Sequence, residues 1–333
     1  MASEPDRNQI TKAILLVGGK GTRLAPLTNN TPKPMLKVAG KPVTEHQIVK
    51  AKDAGITELV LATSYLAEVF EPYFGDGSKF GLKITYAVEN EPLGTGGAIA
   101  NAALELDLAP NESVMIFNGD VLSGHSLQSQ IALHQKANAD VTLYLTKVLD
   151  PRAYGCVPLD EEYRVKAFLE KMENPIADTI NAGCYIFRTS ALQQIPVGEV
   201  VSVERDVFPA LLSKGAGVFG YLDTNYWIDM GTPQSFIKAS RDLLMNPHLS
   251  SATKGVVGEA LIGSNVHIHP TAQVGGGSVI GDGCEISEGV SIFGSMIGEN
   301  VRIGSGSQIS NCYIAPNQEV PDQSAFSDQI IGE

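Results

Sequence analysis

The feature that most constrains the fold is an aliphatic repeat of six residues in the last quarter of the chain. The repeat positions are Ile262, Ile268, Val274, Ile280, Ile286 and Ile292, continuing after one five-residue step at Ile297, Ile303 and Ile309. A helical period cannot produce this spacing, but a three-sided parallel solenoid can. In such a solenoid each short flat side turns one aliphatic side chain inward, and a glycine or small polar residue forms the corner. About three coils fit between Leu261 and Val320, near the minimum for a continuous core.

Upstream of the repeat, apolar β-rich runs alternate with helical patterns from Lys12 to about Val148. The strand-like runs include "AILLVGG", "ITELVLATS", "LKITYAVE" and "SVMIFNGD", and the helical ones include "KPVTEHQIVKAKDAG" and "SLQSQIALHQKANA". This alternation predicts a Rossmann-like α/β domain with a mostly parallel sheet and helices on both faces. Ligands of such sheets gather at the carboxyl ends of the strands. We therefore expect "GGKGTR" and the end of "IFNGD" at the same edge.

The composition changes around "LMNPHLSSATKG", which we interpret as a linker. The sequence therefore predicts four segments: a polar tail at 1–11, the α/β domain at 12–245, the linker at 246–256 and the solenoid at 257–325.

Charge and composition exclude several classes of protein. The formal net charge of −13 repels phosphate backbones, so nucleic acid is not an expected partner. No apolar run approaches the ~20 residues of a membrane helix, and the polar N-terminus lacks a secretory signal, so we expect a cytoplasmic protein without a membrane partner. The four cysteines stand far apart without CxxC spacing, and we expect them to be small core residues.

The loop after the first apolar run carries three glycines and two cations. It is not a P-loop, because GxxxxGK[ST] is absent, and it is not a dinucleotide fingerprint, because Leu24 occupies the third glycine position. The remaining interpretation is a backbone that approaches a ligand closely and offers amide donors to phosphate. The residues concerned are Gly18, Gly19, Gly21, Arg23 and, between two prolines, Lys33. From the loop alone, a tight turn with surface charges stays open.

"GGKGTRLAPLT" followed by "PKPM" resembles the signature of sugar-1-phosphate nucleotidylyltransferases. "EPLGTGGA", "FNGD", "AFLEKMENP", "INAGCYIF" and "WIDMGTP" follow in that family's order, and the terminal repeats are similar to the left-handed β-helix that many members carry. The resemblance covers about residues 12–320. It implies an in-line attack of a sugar 1-phosphate oxygen on the α-phosphorus of a nucleoside triphosphate, with release of pyrophosphate.

The resemblance also implies roles for individual residues. Arg23 and Lys33 would hold the triphosphate and stabilise the transition state, and Asp120 and Asp229 would bind Mg²⁺. The remaining nucleotide-binding residues would be Gly18, Gly19, Gly21, Thr22, Glu89, Gly94 and Thr95. The sugar phosphate would be bound by Gly155, Glu170, Lys171, Asn181 and Gly183, with Glu204 as a further candidate. Two ordinary alternatives stay open: Asp120 as a cap of a turn, and Glu170 with Lys171 as a solvated pair.

Glu89 is the residue from which we predict the base of the nucleotide substrate. Relatives that use uridine or thymidine triphosphates commonly have glutamine there, whose amide can donate to and accept from the base. A carboxylate only accepts, which suits the adjacent N1–H and N2 amino group of guanine. Glu89 therefore favours GTP, unless it is a surface glutamate like its neighbour Glu91. Several segments resemble the bacterial, GDP-mannose-forming mannose-1-phosphate guanylyltransferases, which makes mannose 1-phosphate the expected sugar substrate.

Three other functions stay open at this point. One is a glucose-1-phosphate thymidylyl- or uridylyltransferase, since no residue separates glucose from mannose. The second is a non-catalytic regulatory subunit that binds nucleotide sugar, although the glycine loop and both aspartates are intact. The third is an acyltransferase, because hexapeptide solenoids form such enzymes and His267 and His269 lie in the first coil. The solenoid also predicts a homo-oligomer, a dimer or a multiple of it.

Overall fold

The computed structural model describes residues 9–19, 21–25, 27–28, 31–64, 67–253 and 258–332. Within these residues the chain forms two compact units, the first from 9–19 and 47–227 and the second from 21–46 and 228–332. The second unit thus joins the repeat to two segments that the sequence assigns to the preceding domain. Residues 1–8 of the predicted tail (1–11) and residues 254–256 of the predicted linker (246–256) lie outside the described residues. The predicted domain boundaries stay a prediction.

The strands before the repeat are β1 (Lys12–Leu16), β2 (Lys37–Val38), β3 (Lys41–Pro42), β4 (Glu58–Thr63), β5 (Lys83–Val88), β6 (Ser113–Asn118), β7 (Val121–Ser123), β8 (Val141–Lys147), β9 (Gly155–Cys156), β10 (Leu169–Glu170), β11 (Thr179–Arg188), β12 (Val218–Leu222) and β13 (Trp227–Asp229). The α-helices are α1 (Val43–Asp53), α2 (Glu71–Phe74), α3 (Gly94–Ala103), α4 (Leu127–Lys136), α5 (Thr189–Leu192), α6 (Phe208–Ser213) and α7 (Pro233–Met245). Short 3₁₀ turns cover Thr22–Leu24, Lys33–Met35, Ala67–Val69, Ser78–Phe80, Pro151–Ala153, Pro247–Leu249 and Ser251–Thr253, and Val203–Val207 is π-helical.

Nine strands of the first unit form one mixed sheet. Its order is β10-β9-β11-β6-β1-β4-β5, with β8 beside β11 and β12 beside β8. The pairs β1–β4, β1–β6, β4–β5 and β12–β8 are parallel, whereas β11 runs antiparallel to β6 and β8. The predicted α/β fold with a mostly parallel arrangement around β1 is confirmed, and the antiparallel β11 makes the sheet mixed.

The central strands are apolar along nearly their whole length because both of their faces are buried. In β1 the three middle residues, Ala13, Ile14 and Leu15, are completely buried. The core of the first unit continues through the inner residues of β4, β6, β8 and β11 and is covered by apolar residues of α3 and α6. All four cysteines are buried and free, as predicted.

Local sequence signals explain where the longer helices begin. Ser126 precedes α4, and its side chain accepts a hydrogen bond from the Ser129 amide. Thr232 and Ser235 cap the start of α7 reciprocally, with Pro233 at the first helical position. In the described part of the chain, no helix has the length and apolar character needed to cross a membrane.

The repeat in the second unit forms a left-handed parallel β-helix with three sheets. The first sheet contains β14 (Ala260–Ile262), β17 (Ser278–Ile280), β20 (Met296–Ile297), β23 (Tyr313–Ile314) and β26 (Ile330–Ile331). The second contains β15 (His267–Ile268), β18 (Glu285–Ile286), β21 (Arg302–Ile303) and β24 (Glu319–Val320), and the third β16 (Gln273–Gly275), β19 (Ser291–Phe293), β22 (Gln308–Ser310) and β25 (Ala325–Ser327). The strands continue to Ile331, and the described solenoid has more coils than the estimated three.

Most of the predicted inward positions are buried. The residues from Ile280 to Ile309 in the six-residue series are at most 3% exposed. The prediction is wrong for the first coil, where Ile262 is 42% and Ile268 37% exposed. No preceding coil covers these two side chains, because the described solenoid begins with the coil that carries them. A repeat position is buried only when coils stack on both sides of it.

The corners of the solenoid use left-handed backbone conformations. Asn265, Gly283, Asn300 and Asn317 stack at one corner, all with positive φ between 55° and 70°. Asparagine tolerates this conformation better than most residues with a Cβ. The Asn300 amide also donates to Asn317 Oδ1 at 3.2 Å, which links successive coils.

We expect Ile303→Ala and Ile262→Ala to differ strongly although they change equivalent repeat positions. Ile303 is 1% exposed, so its truncation leaves a cavity and should lower the free energy of unfolding by about 2–5 kcal/mol. Ile262 is 42% exposed, and its truncation should cost less than about 1 kcal/mol. Urea denaturation of the full chain measures both. Equal losses would contradict the burial pattern.

Candidate active site

The glycine loop follows β1 and begins in the first unit. The Val17 amide donates to the Ala62 carbonyl at 3.0 Å, which extends the pairing of β1 with β4. A Cβ on Gly18 would lie 2.7 Å from Ser64 Oγ, so a side chain at this position would displace Ser64. Gly18 and Gly19 are exposed. The structure thus leaves their backbone accessible to a ligand, as the predicted phosphate-binding role requires.

The second part of the loop lies in the second unit, beside Lys33. Gly21 has φ 59°, and a Cβ there would lie 3.0 Å from Lys33 Cβ and 3.1 Å from Thr28 Cγ2. The Thr28 hydroxyl donates to the Gly21 carbonyl at 3.0 Å. Gly21 therefore allows the chain to turn directly against the Lys33 segment. The Thr22–Leu24 turn that follows leaves Thr22 and Arg23 exposed.

Lys33, Arg23 and Asp229 lie close together in the second unit. Lys33 is only 8% exposed, and its Nζ lies 3.9 Å from Asp229 Oδ1. A Cβ on Gly231 would lie 3.2 Å from Asp229 Oδ2 and 3.4 Å from both terminal nitrogens of Arg23. Gly231 therefore leaves room for the guanidinium beside the Asp229 carboxylate. The structure brings together three of the four residues that the sequence predicts to be catalytic.

The fourth predicted catalytic residue, Asp120, lies in the first unit in a tight turn between β6 and β7. The Gly119 amide donates to the Leu16 carbonyl at 2.9 Å. A Cβ on Gly119 would lie 2.2 Å from this oxygen, so only glycine fits. The end of β1 therefore fixes the residue before Asp120. Asp120 itself is half-buried.

The predicted sugar-side residues of the first unit meet where β9 pairs with β10. Glu170 lies opposite Gly155 in this pairing, and a Cβ on Gly155 would be 2.9 Å from Glu170 Oε2. Burial, and next the repulsion from Glu204, raise the pKa of Glu170. Lys171 has φ 49°, an unusual conformation for a residue with a side chain, and its Nζ lies 3.6 Å from Glu170 Oε1. Such backbone strain is commonly found at functional positions.

Asn181 and Gly183 lie at an irregularity of β11. The register of β11 against β8 shifts between Asn181 and Tyr185. The side-chain amides of Asn181 and Asn118 both donate to the Tyr185 hydroxyl, at 2.9 and 3.3 Å. Gly183 has φ 79°, and a Cβ there would lie 3.2 Å from Asn118 Cβ. The bulge thus brings Asn181 next to the "FNGD" strand.

Glu89 follows β5 and differs clearly from its neighbour Glu91. Glu89 Oε2 accepts a hydrogen bond from the Leu93 amide at 3.3 Å, while Oε1 is buried without a hydrogen-bond partner among the described residues. Burial raises the pKa of Glu89. Glu91 is exposed. Of the two glutamates, Glu89 is therefore the one with an unused, partly desolvated acceptor.

The start of α3 is tied to the segment that carries Glu204. The Thr95 hydroxyl donates to Glu204 Oε2 at 2.7 Å and accepts from the Val203 amide at 2.9 Å. A Cβ on Gly94 would lie 2.6 Å from the Val201 carbonyl. Because Glu204 also raises the pKa of Glu170, it connects the predicted nucleotide segment with the predicted sugar segment of the first unit.

Sequence reasoning missed two residues of α1 that hold the Asp120 turn. Gln47 donates to the carbonyls of Asn118 and Val121, and Lys50 donates to the carbonyl of Ser123 at 2.6 Å. The segment "TEHQIVKAK" shows only an ordinary helical pattern. No spacing or motif could have revealed partners that are about 70 residues away in the chain.

Three histidines whose spacing in the sequence does not suit metal binding are buried and form hydrogen bonds. His46 contacts Ser250 and the Val38 carbonyl, His125 contacts Lys50 and Gln130, and His134 contacts Ser113 and Thr142. Burial lowers the pKa of all three. The described residues contain no group of three or more His, Cys, Asp or Glu side chains that could hold a metal ion.

Two family profiles match most of the chain. The Nucleotidyl transferase family profile matches residues 12–246, and the bacterial transferase hexapeptide profile matches residues 259–294. The chain is 51% identical over 284 residues to the mannose-1-phosphate guanylyltransferase of Mycobacterium tuberculosis, covering 85% of this chain and 78% of that relative. It is 35% identical over 329 residues to the probable mannose-1-phosphate guanylyltransferase 1 of Oryza sativa subsp. japonica, covering 96% of this chain and 86% of that protein.

A solved structure is also similar. The crystal structure of HddC from Yersinia pseudotuberculosis complexed with GMP-PN has a TM-score of 0.59 and 28% sequence identity. The match covers 70% of this chain and 100% of that one.

Lys50 should make stability depend on pH. Burial lowers its pKa from 10.5 to about 8, so the unfolded chain binds more protons than the folded chain between these values. The free energy of unfolding of the wild type, relative to Lys50→Met, should therefore rise by about 3 kcal/mol across this interval and stay level below it. Urea denaturation at a series of pH values measures the difference.

Lys52→Met is the matched control for Lys50→Met, because Lys52 is an exposed lysine of the same helix. Its stability should follow that of the wild type at every pH. Parallel curves for Lys50→Met and the wild type would contradict the lowered pKa.

Proposed function

The chain belongs to the nucleotidyl transferase family, and we propose that it transfers GMP from GTP to mannose 1-phosphate, giving GDP-mannose and pyrophosphate. The observation that carries this proposal is the 51% identity with the Mycobacterium tuberculosis mannose-1-phosphate guanylyltransferase over 85% of this chain. Relatives of the same name from plants and insects extend the support.

On the phosphate side, Arg23 and Lys33 have complementary roles. The guanidinium of Arg23 presents a planar set of donors that suits phosphate oxygens, and its exposed position lets it meet the triphosphate. Lys33 is a point charge whose burial is offset by Asp229 at 3.9 Å. Both cations stabilise negative charge that develops on the α-phosphoryl group and on the departing pyrophosphate. The amides of Gly18, Gly19, Gly21 and Thr22 add donors to the phosphates.

On the sugar side, Glu170 accepts hydrogen bonds from sugar hydroxyls and Lys171 binds the sugar phosphate. The proximity of the two side chains supports this assignment, since one ligand carries both groups. Gly155 keeps the space beside the Glu170 carboxylate open. Asn181 and Gly183 are the proposed further ligands of the sugar phosphate, contributed by β11. These residues orient the attacking phosphate oxygen, and orientation supplies much of the catalysis in such transfers.

On the base side, Glu89 accepts the N1–H and N2 amino group of guanine, and Gly94 and Thr95 let the backbone approach the nucleotide. The support is the Glu89 carboxylate, of which one oxygen is buried without a partner among the described residues. A bound guanine would satisfy this oxygen and offer a second donor to the other one, whereas uracil or thymine offers one N–H flanked by carbonyl oxygens that a carboxylate repels. The similarity to HddC, which was crystallised with GMP-PN, points the same way.

Asp120 and Asp229 are the proposed ligands of Mg²⁺. Each follows or ends a strand and offers carboxylate oxygens, the donor type that Mg²⁺ prefers, and one or two carboxylates with substrate phosphates are its usual protein environment. A bound Mg²⁺ would neutralise charge on the phosphates. The homo-oligomer and the cytoplasmic location stay predictions from the sequence.

The proposed reaction predicts pyrophosphate release with Mg²⁺, GTP and mannose 1-phosphate, at a higher kcat/KM than with dTTP, UTP, ATP or CTP, or with glucose 1-phosphate. Asp120→Asn should lose this activity, whereas Asp150→Asn, which changes an exposed aspartate bound to Arg152, should keep it. A coupled pyrophosphate assay measures all combinations. No turnover with any pair would contradict the proposal.

Glu89→Gln should weaken the preference for GTP. The amide nitrogen would face the guanine donors, so kcat/KM for GTP should fall roughly 10–100-fold while dTTP and UTP lose less or gain. The matched control is Glu91→Gln, because Glu91 is exposed. If both variants keep the wild-type ratio of GTP to dTTP turnover, Glu89 does not recognise the base.

A further inference from the structure

We propose that Gln47 is a positioning residue for Asp120, and this inference rests on the proposed metal-binding role of Asp120. The Gln47 side chain projects from α1 and is 6% exposed. Its Nε2 donates to the Asn118 carbonyl at 2.7 Å and to the Val121 carbonyl at 2.8 Å. These two carbonyls bracket Gly119 and Asp120, so one side chain closes the turn on both sides of the aspartate.

The orientation of the Gln47 amide follows from its partners. Two carbonyl oxygens within 2.8 Å require a donor, and the reversed amide would place an oxygen against them. As a result, Gln47 Oε1 is buried without a hydrogen-bond partner among the described residues. Leaving a buried acceptor unpaired costs stability. An apolar side chain of the same length would avoid this cost, so the two bonds to the Asp120 turn are what glutamine contributes here.

Two other contacts hold the turn, and neither of these two binds the carbonyls that Gln47 binds. On one side the Gly119 amide bonds to the Leu16 carbonyl at 2.9 Å, and on another Gly183 lies against Asn118 and Val121. These contacts fix how closely the turn approaches the end of β1 and the bulge of β11 in the first unit. The two carbonyls that orient the peptide groups around Asp120 are bound by Gln47. Loss of the amide would let these peptide groups rotate and carry the carboxylate away from its metal-binding position.

Gln47→Met and Gln47→Asn test this role. Methionine keeps the length and removes the donor, whereas asparagine keeps the amide but is too short to reach both carbonyls. Partners that orient metal ligands typically change metal affinity by roughly 10–100-fold, and we expect about ten-fold weaker Mn²⁺ binding in both variants. Binding is measured on the full chain without nucleotide, by counting free Mn²⁺ with electron paramagnetic resonance. The half-saturating Mg²⁺ concentration in the pyrophosphate assay should rise by the same factor.

Gln130→Met is the matched control. Gln130 is completely buried, and its Nε2 also donates to two main-chain carbonyls, those of Thr142 and Cys184, which lie outside the Asp120 turn. Its link to the turn is indirect, through His125 and Lys50. This variant should lose stability but bind Mn²⁺ like the wild type.

Wild-type Mn²⁺ affinity in both Gln47 variants, or an equal loss in Gln130→Met, would overturn the proposal. The Mn²⁺ titration needs no turnover, so it decides the role of Gln47 even if GTP and mannose 1-phosphate prove not to be the substrates. Gln47→Asn keeps the test valid if Gln47→Met does not fold.

Discussion

The hydrogen bond from the Gly119 amide to the Leu16 carbonyl continues the β1–β6 ladder one residue beyond the end of β6, and the candidate site of the first unit depends on it. It sets the turn that carries Asp120 against the end of β1, where the glycine loop begins. The approach is so close that a Cβ on Gly119 would lie 2.2 Å from the carbonyl oxygen. The bulge of β11 lies beside this turn, where Gly183 approaches Asn118.

The charged groups of the two units favour different kinds of ligand. The chain carries a net charge of −13, so anionic substrates are attracted only where cations are concentrated. In the second unit Arg23 and Lys33 supply such a concentration next to one aspartate. In the first unit the carboxylates of Glu89 and Glu170 are partly desolvated, which raises their pKa values and favours ligands that donate hydrogen bonds, such as a base edge and sugar hydroxyls.

The sequence predicted those parts of the structure that depend on local pattern. The six-residue period gave the three-sided solenoid because each side uses one inward side chain, but it could not show that the first coil leaves Ile262 exposed, since burial there depends on a neighbouring coil. The candidate site residues were also predicted from local pattern, because the apolar runs of the sequence show where the strands end. Gln47, Lys50 and the link between Thr95 and Glu204 were not predictable, because their bonds join segments distant in the chain through ordinary helical residues.

The solenoid has a further consequence because its ladder hydrogen bonds join each coil to the coils directly beside it. The register shows coils of nearly constant length, with Ile280 above Ile297 and Ile297 above Ile314. One coil more or less would change the length of the stack by one strand spacing, about 4.8 Å, and leave every remaining ladder intact. The solenoid is therefore modular, and its length can vary in whole coils.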